Sequence, residues 1–474
     1  MTRLTVGLFG LLAGCAEAFG LEAPTSRPDA PIDAATPADA LGRVDAADAA
    51  IDADAAIDAV AVIDAVAVID GDVDSDATSN GCVPGETRAC GACGWQVEVC
   101  ASRTGPPTWS ACGCEGFRAA AEPPEGFAGR IGASAVATDR EVVIFGGVDR
   151  GNVLADAAAY DPVLDRWRLL PASPLGARRD AAIVWTGSLV LIWGGRGLEP
   201  NGVIETHLDD GATYDPAANR WRYHPGRRET PAGVGIASVW APSVGRVFLW
   251  GGGERLFPEG IGASFDPTSV AWSALPKASI RPRLVSVGFW DGARFVVPLG
   301  SGCRSADGTD AACRDAAAFD PIANRWDPWP LDPLLEGRSE VAIAANEGRA
   351  WFFGGRSEPG LVHDDGAVFA GSWRALPRAP VTSRRGQSVA ALGDRFVIFG
   401  GYDPDLKLHG DGAITDGRTW ALLPSGGPGP RAFATVVPIG PDLFVFSGAI
   451  ARRRTIRFDV TDRSALLYRP PRGL

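Results

Sequence analysis

Beyond residue 116 the chain is punctuated at regular intervals. A short apolar run, rich in β-branched and aromatic residues, ends in a glycine doublet at Gly146-Gly147, Gly194-Gly195, Gly251-Gly252, Gly354-Gly355 and Gly400-Gly401. Weaker versions stand at Gly300-Ser301 and Ser447-Gly448. Runs such as Glu141–Phe145 and Leu189–Trp193 are bounded by turn residues and have the length and composition of strands. After each doublet comes an aromatic-Asp-Pro turn or its remnant: Tyr160-Asp161-Pro162, Tyr214-Asp215-Pro216, Phe265-Asp266-Pro267, Phe319-Asp320-Pro321 and Phe458-Asp459. A tryptophan follows at Trp167, Trp221, Trp272, Trp326, Trp373 and Trp420, often with Leu-Pro just behind it. Glycines let the backbone turn at a strand end without a Cβ clash, and Asp-Pro fixes a turn before the next strand. The pattern predicts an all-β fold of repeated antiparallel units.

Residues 117–474 make 358 residues, or 51 for each of seven units. The order of apolar run, glycine doublet, aromatic-Asp-Pro turn and tryptophan resembles the kelch repeat, whose period is about 50 residues. That resemblance implies a seven-bladed kelch-type β-propeller. Each four-stranded sheet has two apolar faces, and packing blade on blade buries them. The Trp and Tyr residues are then structural, filling the space between blades. Phe117-Arg118, with Pro123 and Pro124, has the look of the tryptophan-to-proline end of a missing unit. This segment is expected to complete the last blade and close the ring.

Ahead of the repeats the composition changes. The net charge of −12 comes from residues 21–80, which hold thirteen Asp and Glu22 against Arg27 and Arg43; the remainder balances, with 43 basic and 43 acidic residues. No clustered basic face of the kind nucleic acid requires is visible. Residues 16–80, mostly Asp, Ala and Pro with Phe19 as the one aromatic, cannot bury enough apolar area to offset chain entropy and read as a disordered acidic linker. The ordered oxygen cage and turn glycine of calcium loops are missing from this run. Arg3 and the apolar stretch Leu4–Leu12 have the form of an export signal too short to span a bilayer. Leu12-Ala13-Gly14-Cys15 resembles the lipobox of bacterial lipoproteins, which implies acylation of Cys15 after removal of residues 1–14. The other reading is an ordinary signal peptide with a chance cysteine. Ala16, where an Asp would suggest inner-membrane retention, points to the outer membrane.

Without Cys15 eight cysteines remain: Cys82, Cys90, Cys93, Cys100, Cys112 and Cys114 in one stretch, and Cys303 with Cys313 downstream. In an oxidising compartment this grouping reads as three disulfides plus one. Cys90-x-x-Cys93 alone would also suit zinc or a redox dithiol. Residues 81–116 are similar to a short cysteine-rich module found before repeat domains in bacterial surface lipoproteins, too small to be stable without cross-links. The expected organisation is therefore signal peptide 1–14, lipidated Cys15 and linker 15–80, cysteine-rich module 81–116 and propeller 117–474.

Candidate chemistry centres on arginine. Arg130, Arg178, Arg338, Arg384 and Arg431 each stand sixteen residues before their doublet position and Arg283 seventeen before its own, while the third unit has Gly235 there. In the kelch pattern this position opens the strand leading to the pore, and some kelch adaptors grip acidic peptides with arginines near it. A ring of guanidinium groups at a pore mouth would suit carboxylates, sulfates or uronic acids. The alternative is that a periodic arginine caps carbonyls between blades. His207, His363 and His409 precede Asp210, Asp365 and Asp411, with Asp156 and Asp315 in the same place elsewhere. A metal would need such pairs to converge from different blades, so these read as structural. Nucleophile-elbow, zincin, phosphate-loop and dinucleotide motifs are missing. The expectation is a non-enzymatic binding module without metal or cofactor, held at the membrane through its lipid anchor alone. It would engage a protein or an acidic glycan, with the Cys303–Cys313 loop and the insertion Gly197–Asp209 as candidate contacts. The competing expectation is an envelope carbohydrate-active enzyme, of epimerase or lyase type, working at the pore.

Overall fold

A computed structural model describes residues 116–471 apart from 199–204, 254–259, 284–287, 301–302, 305–309, 312, 314, 336, 339–340, 347, 358–360, 425, 452–457 and 460–461. It also describes three short strands at Thr87–Ala89, Val97–Ala101 and Thr108–Trp109, which form one sheet in that order. The signal peptide, Cys15, the acidic linker and Cys82, Cys90, Cys93, Cys112 and Cys114 lie outside the described residues; Cys100 falls in the second of the short strands.

Residues 116–471 form seven four-stranded antiparallel sheets in sequence order. In the first blade Ser134–Ala137 is innermost, followed outward by Val142–Phe145, Ala157–Asp161 and Arg166–Leu169. The innermost strands of successive blades touch one another, and Thr435–Ile439 of the seventh returns to Ser134–Ala137 of the first, so the ring is closed. Closure comes from the amino-terminal side, as the sequence suggested. Gly116–Ala119 is the outermost strand of the seventh blade, paired antiparallel with Ala465–Arg469.

Alternating strand directions give the ring two faces. One carries the turns between first and second and between third and fourth strands. The other carries the blade-to-blade loops and the connections between second and third strands. These connections rise into two-stranded ribbons at Val148–Asp149 with Asn152–Val153, Arg196–Leu198 with Glu205–His207, Cys303–Arg304 with Asp310–Ala311, Arg356–Ser357 with Leu361–Val362, and Ile450–Ala451 with Phe458–Asp459.

The core is likewise a ring, with one apolar cluster at each blade junction. Between the seventh and first blades Phe127, Val142, Ile144 and Tyr160 pack against Phe444, Phe446 and Leu467. Between the third and fourth, Phe248 and Trp250 meet Phe295, Val297 and Phe319. The recurring tryptophans latch these junctions. Each indole N–H donates to a backbone carbonyl of the preceding blade: Trp221 to Pro171 (2.9 Å), Trp326 to Pro276 (2.9 Å), Trp373 to Pro330 (2.9 Å), Trp420 to Pro377 (2.7 Å), and Trp167 to Ala121 (2.7 Å). This accounts for the Leu-Pro that follows most tryptophans: the leucine or its replacement turns into the junction, and the proline presents its carbonyl to the next indole. Trp272 is the exception, its buried N–H having no acceptor.

The aromatic-Asp-Pro turns are Asx turns. Asp161, Asp215, Asp266, Asp320 and Asp416 each accept backbone N–H groups two and three residues on. The turn then needs a left-handed residue, supplied by Asp165, Asn219 and Asn324 but by Val270 in the third blade.

Two consequences can be measured. Trp326→Phe keeps the ring and loses the hydrogen bond, so it should lower stability by about 1 kcal/mol more than Trp272→Phe, which has no such bond to lose. Equal effects in chemical denaturation would refute the latch. The second concerns His224, which fills a place where the repeat puts Leu170, Leu275 or Leu423. Burial, together with the nearby charges of Arg222 and Arg227, pushes its imidazole down to about 4. Below the unfolded value of about 6.5 the unfolded chain takes up a proton that the folded one refuses, so His224 costs stability as pH falls from about 6.5 to 4. His224→Leu should remove that loss, about 3 kcal/mol by pH 4, seen as a widening gap between the two denaturation curves.

Candidate functional site

The structure places the six repeat arginines inside the blades. All are buried, at 0–5 % exposure, and each is bonded to the fold. In the sixth blade Arg384 donates Nε to the Thr382 carbonyl (2.9 Å), Nη1 to the Gly400 carbonyl (3.1 Å) and to Asp411 Oδ1 (2.7 Å), and Nη2 to Asp411 Oδ2 (3.2 Å). The arrangement recurs. Arg130 binds Gly146 O and Asp156, Arg178 binds Gly194 O and Asp210, Arg338 binds Gly354 O and Asp365, and Arg431 binds Ser447 O and Asp462. Arg283 reaches Asp315 at 2.6 Å and its carbonyl at 2.8 Å. Three of the aspartates bound here, Asp210, Asp365 and Asp411, are those that follow the histidines. The arginines hold Asp365 and Asp411 below the ordinary carboxylate range; burial opposes the shift, outweighed by the Arg338 guanidinium at Asp365, and at Asp411 the Arg384 hydrogen bond is the largest influence.

The glycine doublet belongs to the same joint. Gly147, Gly195 and Gly401 donate their N–H to the carbonyl of Arg178, Gly233 and Arg431 in the next blade. A Cβ on Gly146 would lie 2.3 Å from the Arg178 carbonyl oxygen, and one on Gly400 2.4 Å from that of Arg431. The third blade corrects the sequence alignment. Gly233, not Gly235, occupies the arginine place, because its carbonyl takes the Gly195 N–H. The aspartate place holds Ile261, whose carbonyl accepts from Gly251 as the Asp156 carbonyl accepts from Gly146. Arginine and aspartate disappear together. The periodic arginine is thus a clamp joining three segments of its blade, and it does not present a guanidinium to the pore.

What faces the pore mouth is the second residue after the clamp. A cavity of about 230 Å³ opens at the ribbon-face end of the central channel, lined by Gly132, Asp180, Gln387, Ser388 and Phe433 among others. Asp180 and Phe433 are non-glycine residues held at positive φ, 55° each. In the second blade Arg179 pairs in backbone register with Arg196, and in the sixth Arg385 pairs with Tyr402, over whose ring its guanidinium lies at 5.8 Å. Arg179 bonds Asp180 at 2.5 Å. Sequence reasoning passed over Arg179, Arg196 and Arg385 because their places carry arginine in only two blades each.

The histidines bond within their own ribbons: His207 with Arg196 (3.3 Å), His363 with Ser357 (2.8 Å) and His409 with Asp403 (3.1 Å). Among the described residues no group of three His, Cys, Asp or Glu is placed to hold a metal ion, and no helix is long and apolar enough to cross a membrane. Cys313 is fully buried at the foot of the fourth ribbon.

Seven four-stranded blades, the doublet joint and the tryptophan latch define a kelch-repeat propeller. A family model for the Kelch motif matches residues 129–174, the segment from the first clamp arginine to the end of the first blade. A curated protein, alpha-scruin of Limulus polyphemus, is 26% identical over 137 residues, covering 28% of this chain and 14% of scruin. The chain thus spans about a seventh of the length of that relative.

The clamp makes a testable demand. Arg384→Ala leaves the Gly400 carbonyl and Asp411 without their donor and should cost about 2–4 kcal/mol. Adding Asp411→Ala should cost much less than the sum, with a coupling energy above about 1 kcal/mol in a double-mutant cycle. Additive losses would mean the two residues act separately.

Proposed function

We propose that this kelch propeller is a non-enzymatic binding module whose ribbon-bearing face engages a protein partner carrying acidic groups. The observation that carries this reading is where the chain departs from its own repeat. The recurring residues are committed to clamps, latches and turns, whereas the ribbons differ in length and sequence and rise from one face. Around them stand exposed leucines, Leu198 (39 %), Leu361 (61 %) and Leu406 (43 %). On the same face stand Arg196, Arg356 and Arg385, at places that carry arginine in only two blades each. Apolar anchors with arginine are the usual composition of protein contact surfaces. The arginines also suit an acidic glycan, which is the second reading at this face. An epimerase or lyase needs an acid–base pair at the pore; the one carboxylate on the described cavity lining, Asp180, is bonded to Arg179.

In this reading the protein is exported and held through acylated Cys15 at the outer membrane, with residues 16–80 as tether. Its cysteines are paired, which fits a disulfide-bonded Cys313, with Cys303 as the proposed partner. The closing strand Gly116–Ala119 begins at its turn-face end, so the chain ahead of it joins the propeller on the side away from the ribbons. Tethering there leaves the ribbon face open.

The test is capture from envelope extract by soluble residues 81–474, alongside Leu361→Asp/Leu406→Asp in the ribbons and Leu169→Asp on an outer strand. A partner retained by the parent and by Leu169→Asp but lost by the ribbon variant is the expected result. Retention by all three would remove the ribbon face from consideration.

A further inference from the structure

A second concave site lies on the opposite face, at the rim between the first and second blades. Its volume is about 630 Å³, within the range of small-ligand pockets. Its polar walls are Arg140 and Glu141 from the first turn of the first blade, Asp161, Arg166 and Arg168 from the outer half of that blade, and Asn219 from the second.

The fold does not need Arg140 or Glu141, although Asp161 is the recurring Asx-turn aspartate and Arg220 stands in the place of Arg166 in the second blade. The corresponding turn of the second blade closes with the same hydrogen bonds, Thr186 to Leu189 in place of Thr138 to Glu141, yet has Ser188 and Leu189 where the first has Arg140 and Glu141. Opposite the third strand, Ser273 and Ala421 occupy the place of Arg168 in the third and sixth blades, and where the second and fifth keep an arginine, Arg222 and Arg374, the Glu141 place holds Leu189 and Arg349. In a repeat protein, what recurs is explained by the architecture. Among the described residues the Glu141–Arg168 pair is confined to one junction, and a charged pair that lines a cavity calls for another explanation.

The cluster is also pre-organised. Arg168 is gripped by both Glu141 oxygens (2.5 and 3.1 Å) and donates to Asn219 Oδ1 (2.9 Å) and to the Tyr214 hydroxyl (3.0 Å), which itself donates to Asn219 Oδ1 (2.7 Å). Both bonds to Asn219 fall on its oxygen, so its amide N–H groups remain for a ligand. Arg140 holds Asp161 through Nε at 3.1 Å, its side chain 71 % exposed, leaving both terminal nitrogens to solvent. Arg166 is exposed and has no ion pair among the described residues. The site therefore offers two guanidinium ends and an amide as unspent donors around a fixed floor. Its carboxylates, neutralised by their arginines, keep lone pairs for hydroxyl groups. An anion bearing hydroxyls satisfies both halves of this arrangement. A half-open pocket of this volume between two turns has room for a few sugar rings.

We propose that this pocket binds an acidic saccharide, with Arg140 and Arg166 taking its carboxylate and Asn219, Glu141 and Asp161 its hydroxyls. The site is independent of the ribbon face, and either reading can fail without the other.

The experiment is calorimetric titration of the detergent-solubilised full chain with a triuronate, its methyl ester and an acidic tripeptide. Arg140→Ala/Arg166→Ala is compared with Arg220→Ala, the counterpart of Arg166 one blade on, and melting curves verify that each variant is folded. The expected result is triuronate binding weakened about tenfold or more by the ester and by the double variant, and unchanged by Arg220→Ala. Three outcomes would overturn the proposal: no triuronate binding at millimolar concentration, equal binding by the double variant, or tripeptide binding as strong as triuronate with the same loss in the double variant.

Discussion

A guanidinium carries five N–H groups and keeps its charge at any pH a protein survives, so burying one obliges the surrounding chain to supply acceptors on every side. Among the described residues this propeller buries Arg179 and the six repeat arginines. Arg130, Arg178, Arg384 and Arg431 take their acceptors from three segments far apart in sequence, the loop entering the blade, the carbonyl that ends the second strand and the aspartate that opens the third; Arg338 takes them from the last two and Arg283 from the first and last. The second- and third-strand segments are also joined through the backbone, Gly146 N–H donating to the Asp156 carbonyl and Gly400 N–H to that of Asp411, and the arginine ties the entering loop to both. The requirement spreads outward. The carbonyl of a clamp arginine, or of Gly233 in its place, receives an N–H from the previous blade's doublet at the first, second and sixth blades, and a side chain at the first doublet position would collide with it in the first and sixth. Ser447 meets the same demand differently in the seventh blade. It adopts φ of 56°, and its hydroxyl accepts the Arg130 N–H at 2.7 Å. The third blade is informative because it lacks arginine and aspartate together, as expected if neither has a reason to be buried without the other.

Much of this architecture was legible in the sequence. Glycine doublets, Asp-Pro turns and tryptophans recur because each meets a backbone or packing requirement that every blade repeats, and Phe117-Arg118 marked the closing strand for the same reason. The role of the arginines was not legible. Recurrence shows that a residue matters to every blade without showing whether it faces solvent or interior. The aspartate partners stay hidden because the ribbon between them varies, so the arginine-to-aspartate separation ranges from 26 to 32 residues. The third blade misled for a related reason, since two residues of loop separate Gly235 from the position that does the work. The Asp180 and Phe433 conformations were equally invisible: the same place in the first and sixth blades is held by Gly132 and Gly386 at positive φ, which gives no hint that a larger residue stands there elsewhere.

Repetition separates fold from function more sharply here than in an ordinary domain. What recurs is committed to internal bonds, and the periodic arginines, the most conspicuous candidates in the sequence, fall on that side. What departs from the repeat gathers in two places on opposite faces: ribbons and arginines around the channel mouth, and a charged pocket at the rim of the first junction. Two faces with separate chemistries suit a molecule that holds a partner on one side and a small polar ligand on the other, because a closed ring of blades supports both on the same frame.

Closure itself sets the last constraint. The seventh blade is completed by residues 116–119, and its junction with the first depends on neighbouring amino-terminal residues: Arg463 donates to the carbonyls of Pro123, Pro124 and Phe127, and Trp167 to that of Ala121. Joining the two ends across some 350 residues costs only a few kcal/mol of loop entropy, since that cost grows with the logarithm of length. In return it removes the exposed edges of an open ring and buries the Phe127, Tyr160 and Phe444 cluster. Any pull on the amino-terminal side is therefore borne first by one four-residue strand. Its pairing with Ala465–Arg469 loads all its ladder bonds together only if the pull runs along the strand. A pull across the sheet would open them in succession.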